Sequence, residues 1–140
     1  MASQWIIYAL LAALFAGLVA IFGKLGLKNV DVNLATTIRA FVMFSFLVLV
    51  VLFQKKISLI TEFRTIDYIF IILAGIAGAL SWLFYFLALK TGDATKVASL
   101  DRLSVVFVMV FALLFLGEKF SLKVLSGIIL IVVGAVLMVI

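Results

Sequence analysis

Five apolar runs, each close to the length of a membrane-spanning helix, dominate the sequence. A helix needs ~20 apolar residues to cross the hydrocarbon core of a bilayer. Of the 140 residues, 69% are hydrophobic and 12% are charged, against ~45–50% and ~25% in soluble domains. No soluble fold of this size could bury so much apolar surface, so the sequence predicts an all-α integral membrane protein. The predicted spans are Trp5–Phe22, Leu34–Phe53, Tyr68–Leu89, Ala94–Leu116 and Leu122–Ile140.

The connections between these runs are short. The longest, residues 54–67, is too small for a separate domain, so residues 1–140 are expected to form one multi-pass domain. No Lys or Arg precedes Trp5, so the first run lacks the charged start of a signal peptide and is expected to be a retained helix. The chain has no Pro. We therefore expect continuous helices, with any site built from side chains.

The residue types present narrow the range of functions. Cys and His are both absent, which removes thiolate metal sites, the commonest metal ligand and the usual neutral-pH proton shuttle. With a single acid well inside a predicted helix, no catalytic constellation stands out, and neither an enzyme nor a cofactor is expected. The net charge is +5, but the basic residues stand singly between apolar runs. They are therefore expected to flank a lipid bilayer and not to bind nucleic acid.

Lys and Arg are divided almost equally between the two predicted sides of the membrane. So weak a bias favours insertion in both orientations, and two opposed copies would form an antiparallel homodimer with inverted symmetry. The alternative is that the weak bias still fixes one orientation, beside a partner protein. The side of the N-terminus holds Lys55, Lys56, Arg64, Lys119 and Lys123; the other holds Lys24, Lys28, Lys90 and Lys96, with Arg39 and Arg102 embedded nearest to it.

Polar residues of three predicted helices lie at one depth. Arg39 is about six residues into the second helix, Asp101 about seven into the fourth, and Tyr85 about five from the end of the third. At 1.5 Å per residue, all three lie ~8–11 Å below the helix ends. Helical spacing places Ser104 on the same face of the fourth helix as Asp101. It also places Ser81, Trp82 and Tyr85 together on one face of the third helix.

Asp101 and Arg102 are the least expected members of this layer, because they stand inside an apolar run. A charge at membrane depth costs ~2.5–3.5 kcal/mol on insertion scales and usually marks a functional site. A pair of Arg39 and Asp101 would neutralise two such charges, leaving Arg102 to reach the headgroups or a cavity. The functional hypothesis is a substrate cavity with Asp101 also able to carry a proton; the alternative is an ion pair that only fixes helix packing. The candidate substrate or coupling residues are Asp101, Arg39, Arg102, Tyr85, Trp82, Ser81 and Ser104.

Several short motifs follow one another along the chain. They are Lys24-Leu25-Gly26, Arg39 in Thr37-Ile38-Arg39-Ala40, YFLAL from Tyr85 to Leu89, Gly92-Asp93-Ala94, and LGEK from Leu116 to Lys119 with Ser121 and a helix containing Gly127 and Gly134. With these motifs in this order, the chain resembles one five-helix repeat of the drug/metabolite transporter superfamily, EamA type. Usual members carry two such repeats of opposite orientation, so the chain is similar to the single-repeat bacterial and archaeal branch.

The resemblance implies a four-plus-one bundle in a prokaryotic inner membrane. It also implies alternating access and a small metabolite or amino-acid-like substrate. Typical repeats have a Pro near the position of Ser104, whereas this chain has Asp101-Arg102-Leu103-Ser104, so the family's substrate contacts do not transfer. The predicted function is a secondary transporter of a small polar or amphipathic metabolite, working as an antiparallel homodimer. The alternative is a non-transporting scaffold or accessory subunit.

Overall fold

The computed structural model describes residues 4–140, and five apolar helices make up most of them. They are α1 (Gln4–Gly26), α2 (Val32–Phe53), α3 (Thr65–Thr91), α4 (Ala94–Leu116) and α5 (Leu122–Leu137). The predicted all-α architecture is confirmed, because residues 4–140 form helices and contain no strand. α1 to α4 are long and apolar enough to cross a membrane. The fifth helix was expected to reach Ile140 but ends at Leu137, and its 16 residues rise only ~24 Å.

Side-chain caps fix where two of the helices begin. The carboxylate of Asp31 accepts a hydrogen bond from the backbone N–H of Leu34, 2.9 Å away, so α2 begins two residues earlier than predicted. The hydroxyl of Ser121 accepts from the N–H of Val124 at the start of α5. Both caps satisfy an N–H group that has no partner within the first helical turn.

The connection between α2 and α3 contains a short 3-10 helix, Ile57–Glu62, which the sequence did not indicate. An exposed salt bridge follows it, with Arg64 Nη2 3.0 Å from Asp67 Oδ1. Asp67 also accepts from the backbone N–H of Arg64, so it caps the first turn of α3. These contacts order the longest connection without making it a separate domain.

α4 is not the continuous α-helix expected from the absence of Pro. Its α-helical segments Ala94–Asp101 and Ser104–Phe111 are separated by a tighter turn. There the N–H of Arg102 bonds to the carbonyl of Ser99, and that of Leu103 to the carbonyl of Leu100, which is 3-10 spacing. Arg102 keeps a right-handed φ of −64° with ψ of −15°. A rotation of ψ alone therefore changes the hydrogen-bond pattern, and no Pro is needed.

The end of α4 departs from α geometry in the opposite direction. Residues Ala112–Leu116 form a π-helical turn, and the carbonyl of Ala112 accepts from the N–H groups of both Gly117 and Glu118. Gly117 then turns the chain away with φ of 66° and ψ of 22°. This left-handed conformation carries little penalty only for glycine, which explains why the LGEK motif has glycine at this position.

The described chain divides into two compact units. One comprises the described part of Met1–Lys24 together with Thr91–Ile140, and the other is Leu25–Lys90. In the first, α4 packs against α5: the Ser99 hydroxyl lies 3.0 Å from Met138 Sδ, and Lys96 Nζ donates to the carbonyl of Val139. The second unit contains α2 and α3. The single-domain assignment stays a prediction.

Few side chains are buried in either unit, and those few are all apolar. Large apolar side chains on every helix are instead exposed, as expected where a helix faces lipid and not water. The buried residues are Ala20, Ala112, Ile128 and Ala135 in one unit, and Leu27, Val32, Phe86 and Leu89 in the other.

Candidate functional site

In the unit Leu25–Lys90, α2 and α3 bring a cation onto an aromatic face. The guanidinium carbon of Arg39 lies 3.6 Å from the centroid of the Trp82 ring and 5.2 Å from that of Phe86. Trp82 and Phe86 are four residues apart on α3, so they project from the same face of the helix one turn apart. Phe86 is buried, whereas Arg39 and Trp82 are half-buried. The stack is therefore anchored on one side and accessible on the other.

Tyr85 extends the aromatic surface beside the stack. Its ring meets that of Trp82 edge-on, with centroids 5.6 Å apart and planes inclined by 80°. The Trp82 and Phe86 rings are 5.8 Å apart and tilted by 60°. Such edge and tilted contacts are the favourable geometries for aromatic pairs. They hold the Trp82 ring in one orientation beneath the guanidinium.

The stacked guanidinium keeps its hydrogen-bond donors available. The five N–H groups of an arginine lie in the guanidinium plane, so contact with an aromatic face does not use them. Within Leu25–Lys90, Asp67 forms a salt bridge with Arg64 and Asp31 caps α2, whereas the contacts of Arg39 are with aromatic rings. The arrangement can therefore bind an anion through the edge of Arg39.

The predicted ion pair between Arg39 and Asp101 stays a prediction. Arg39 belongs to the unit Leu25–Lys90 and Asp101 to the other unit. Within its own unit, Arg39 is placed by Trp82 and Phe86 instead of by a carboxylate. Trp82 contacts both Arg39 and Tyr85, two of the three residues predicted to lie at one depth; the place of Asp101 in that layer stays a prediction.

Asp101, Arg102 and Ser104 lie at the 3-10 turn that interrupts α4, and all three are exposed. Ser81 is also exposed, on α3. Beside it, a Cβ atom built on Gly78 would meet nothing within 4 Å, so there is open space on this side of α3. The structure thus groups Arg39, Trp82 and Tyr85 and leaves the other predicted site residues accessible.

Two lysines have contacts that the sequence did not indicate, since such residues were expected to face lipid headgroups. In the unit Leu25–Lys90, Lys90 Nζ donates to the carbonyls of Leu27, at 2.8 Å, and Val30, at 2.7 Å. In the other unit, Lys24 Nζ donates to the carbonyl of Gly92 at 2.8 Å. Each ammonium thus links the last turn of a helix to a connection between two helices through hydrogen bonds to backbone carbonyls. The position of a lysine in a last helical turn is the signal that could have suggested this role.

Phe86 was also missed. It is the buried residue beneath the Arg39 stack, and it was passed over because it has no polar atom. Its spacing of four residues from Trp82 could have placed it on the same face.

A separate cavity of about 310 Å³ lies where α4 ends and α5 begins. Its wall is apolar apart from Ser121, whose hydroxyl caps α5, and it contains no predicted site residue. Among residues 4–140, no group of three or more Cys, His, Asp or Glu side chains could hold a metal ion. The lining residues are Met109, Val110, Leu113, Phe120, Ser121, Leu122 and Leu125.

Comparison with known proteins gives one consistent result. Residues 3–140 match the EamA-like transporter family. A protein of Sinorhizobium sp., named "Uncharacterized transporter in cobO 3'region", is 41% identical over 138 residues, which are 99% of this chain and 98% of the relative. No solved structure matches. The family predicted from the short motifs is confirmed, and both similarities point to a transporter in a membrane.

Proposed function

Because the chain belongs to the EamA-like transporter family, we propose that it is a secondary transporter that moves a small polar or amphipathic metabolite by alternating access. The observation that carries this proposal is the stack of Arg39 on Trp82. Arg39 is seven residues inside α2 and Trp82 nine residues before the end of α3, so both lie ~10–14 Å from the helix ends. A charge at that depth is costly, so an ionisable residue kept there usually has a function.

The other half of the proposed mechanism is a proton carried by Asp101. This acid stands at the 3-10 turn of α4 and is exposed. A stretch of 3-10 helix inside an α-helix often marks a hinge. A hinge beside Asp101 would link its protonation to a change of helix geometry, with Arg102 and Ser104 on the same turn. Tyr85 and Ser81 would line the substrate path on α3.

The working unit in this proposal is an antiparallel homodimer in a prokaryotic inner membrane. Support comes from the nearly equal numbers of Lys and Arg on the two predicted sides, which removes the usual determinant of a single orientation. A bacterial relative is matched over 98% of its own length. Two opposed copies would present the Arg39 cluster from both membrane faces, as alternating access requires.

A second candidate is a non-transporting accessory subunit. The observation that favours it is the exposure of Asp101, Arg102 and Ser104 on α4, since another chain could cover this polar turn. In that case the contact of Arg39 with Trp82 would only fix the packing of α2 on α3.

Reconstitution decides between the two. Purified protein in proteoliposomes is tested for counterflow, in which an unlabelled solute inside the vesicles accelerates entry of its labelled form. The solutes are chosen beforehand as those that raise the thermal stability of the purified protein. We expect saturable counterflow that is lost in Arg39→Gln and kept in Arg64→Gln, which changes an exposed arginine outside the cluster. Wild-type vesicles that bind solutes but show no counterflow would favour the accessory subunit.

A further inference from the structure

We infer that the Arg39–Trp82 stack is an oxyanion site for the carboxylate of a monoanionic substrate that has an apolar body. This inference rests on the proposed transport function and adds the class of substrate. It follows from four features of the unit Leu25–Lys90: the orientation of the guanidinium, its single charge, the acids around it, and the space beside Gly78.

The first feature is the geometry of the stack. At 3.6 Å from the Trp82 centroid, the Arg39 guanidinium carbon is in van der Waals contact with the ring face. The ring covers one face of the guanidinium and cannot accept the in-plane N–H bonds. Those donors form a rigid fork that matches the two oxygens of a carboxylate. A stacked arginine is therefore already oriented for a planar, two-oxygen ligand.

The second feature is charge. Lys90 is the basic residue in the last turn of α3, and its ammonium donates to the carbonyls of Leu27 and Val30. Arg39 thus supplies one positive charge to the site. A monoanion neutralises that charge, whereas a phosphate dianion would leave a net negative charge at membrane depth, which is costly. The charge balance favours a carboxylate over a phosphate.

The third feature concerns the acids of the same unit. Its three acids are Asp31, Glu62 and Asp67. Asp31 caps α2, Asp67 pairs with Arg64, and Glu62 lies in the 3-10 helix of the connection before α3. The contacts of Arg39 are with Trp82 and Phe86 and with none of these three acids. As far as the acids of its own unit go, the site therefore favours a simple carboxylate over the zwitterion of an amino acid.

The fourth feature is the open space on α3 one helical turn from the stack. Gly78 is one helical turn before Trp82, and a Cβ at this position would meet no atom within 4 Å. Tyr85 and Phe86 supply aromatic surface on the other side of Trp82. A carboxylate bound at Arg39 could lay an aliphatic or aromatic body along this surface, which would bury apolar area.

Tryptophan fluorescence provides a direct test on the intact protein. The chain has two tryptophans, and Trp5 is exposed in α1. In Trp5→Phe, Trp82 is the sole tryptophan, and its emission depends on the charge over its ring. The probes share a six-carbon chain: hexanoate is a monoanion, hexanamide neutral, norleucine a zwitterion and hexyl phosphate a dianion. Titrations at pH 7.5 use nanodiscs of zwitterionic lipid, with and without anionic phospholipid.

The expected result is a saturable change in Trp82 emission with hexanoate, and binding about tenfold or more weaker for each of the other three probes. Arg39→Lys keeps the charge but loses the fork, so it weakens hexanoate binding, and Arg39→Gln abolishes it. Arg64→Gln leaves binding unchanged. The comparison of hexanoate with hexanamide needs no Arg39 variant, so it stands even if a variant fails to fold.

Three outcomes would overturn the inference. Hexanamide could bind as well as hexanoate; hexyl phosphate or anionic lipid could occupy the site more tightly, making it a phosphate site; or Arg39→Gln could bind hexanoate normally. Counterflow of hexanoate, hexanamide and norleucine is measured in parallel. Counterflow of an uncharged or zwitterionic probe that does not need Arg39 would refute the carboxylate site and keep the transporter. Hexanoate binding at Arg39 without counterflow of any bound solute would keep the carboxylate site and refute the transporter.

Discussion

The guanidinium carbon of Arg39 lies 3.6 Å from the centroid of the Trp82 ring, so a charge on α2 is held by an aromatic face on α3. A cation over a tryptophan contributes ~0.5–1 kcal/mol when exposed and ~2 kcal/mol or more when desolvated. This contact joins the two long helices of the unit Leu25–Lys90 at membrane depth. It is also the basis of the proposed substrate site.

A double-mutant cycle should detect this contact. We expect the single variants Arg39→Gln and Trp82→Leu each to lower the free energy of unfolding, and the double variant to lower it by about 0.5–2 kcal/mol less than the sum. The measurement is reversible unfolding in mixed micelles. The control cycle pairs Arg39→Gln with Trp5→Leu, since Trp5 is exposed in α1, and its effects should add. Additivity in the Trp82 cycle would show that the contact contributes nothing.

Asp101 is expected to couple transport to protons. Asp101→Asn removes the titratable group but keeps its size, so uptake driven by a pH gradient should fall at least about tenfold. Counterflow, which needs no driving gradient, should be kept. Both are measured in the same proteoliposomes, with Asp93→Asn as the control because Asp93 is an exposed acid at the start of α4. Equal gradient-driven rates in wild type and Asp101→Asn would remove Asp101 from this role.

Lys90 should stabilise the connection between α1 and α2. Its ammonium donates to the carbonyls of Leu27 and Val30, and Lys90→Met removes both charged hydrogen bonds. Because the side chain is exposed, we expect a loss of only about 1–2 kcal/mol, measured as a lower Tm in detergent. Lys28→Met changes an exposed lysine on the same connection and should leave Tm nearly unchanged. Equal effects of the two variants would contradict the assigned role of Lys90.

Gly117 and Gly127 should respond in opposite directions to alanine. Gly117 has φ of 66°, so Gly117→Ala should cost about 1–2 kcal/mol. Gly127 is inside α5, and a Cβ there meets nothing within 4 Å. Gly127→Ala should therefore be neutral or stabilise by up to about 1 kcal/mol. Thermal unfolding of the two variants side by side gives the comparison, and a stable Gly117→Ala would show that the turn tolerates another conformation.

The helices were largely predictable because an apolar run of about 20 residues that crosses a bilayer can pair its backbone N–H and C=O groups as a helix. The fourth span, Ala94–Leu116, was predicted with the bounds that the structure shows. Arg39 and Tyr85 were predicted at one depth because similar numbers of residues from two helix ends give similar depths, and Trp82 contacts them both.

The local departures from ideal helices were not predictable in the same way. The 3-10 turn at Arg102 requires only a change in ψ. No residue type indicates such a change in the way that Pro indicates a break in a helix. The contact of Arg39 with Trp82 depends on the rotation of α2 about its axis, whereas the expected partner of Arg39 was an opposite charge. The bonds of Lys90 to backbone carbonyls were missed because carbonyl groups carry no sequence signal.

The central claim is that one chain supplies both orientations of the proposed transporter. A reporter pair fused after Ile140, one active only in the cytoplasm and one only outside it, tests this claim most directly. We predict that both reporters are active in comparable amounts, and that adding two lysines to the connection between α2 and α3 shifts the signal to one side. Activity of a single reporter in the unmodified protein would contradict the antiparallel homodimer.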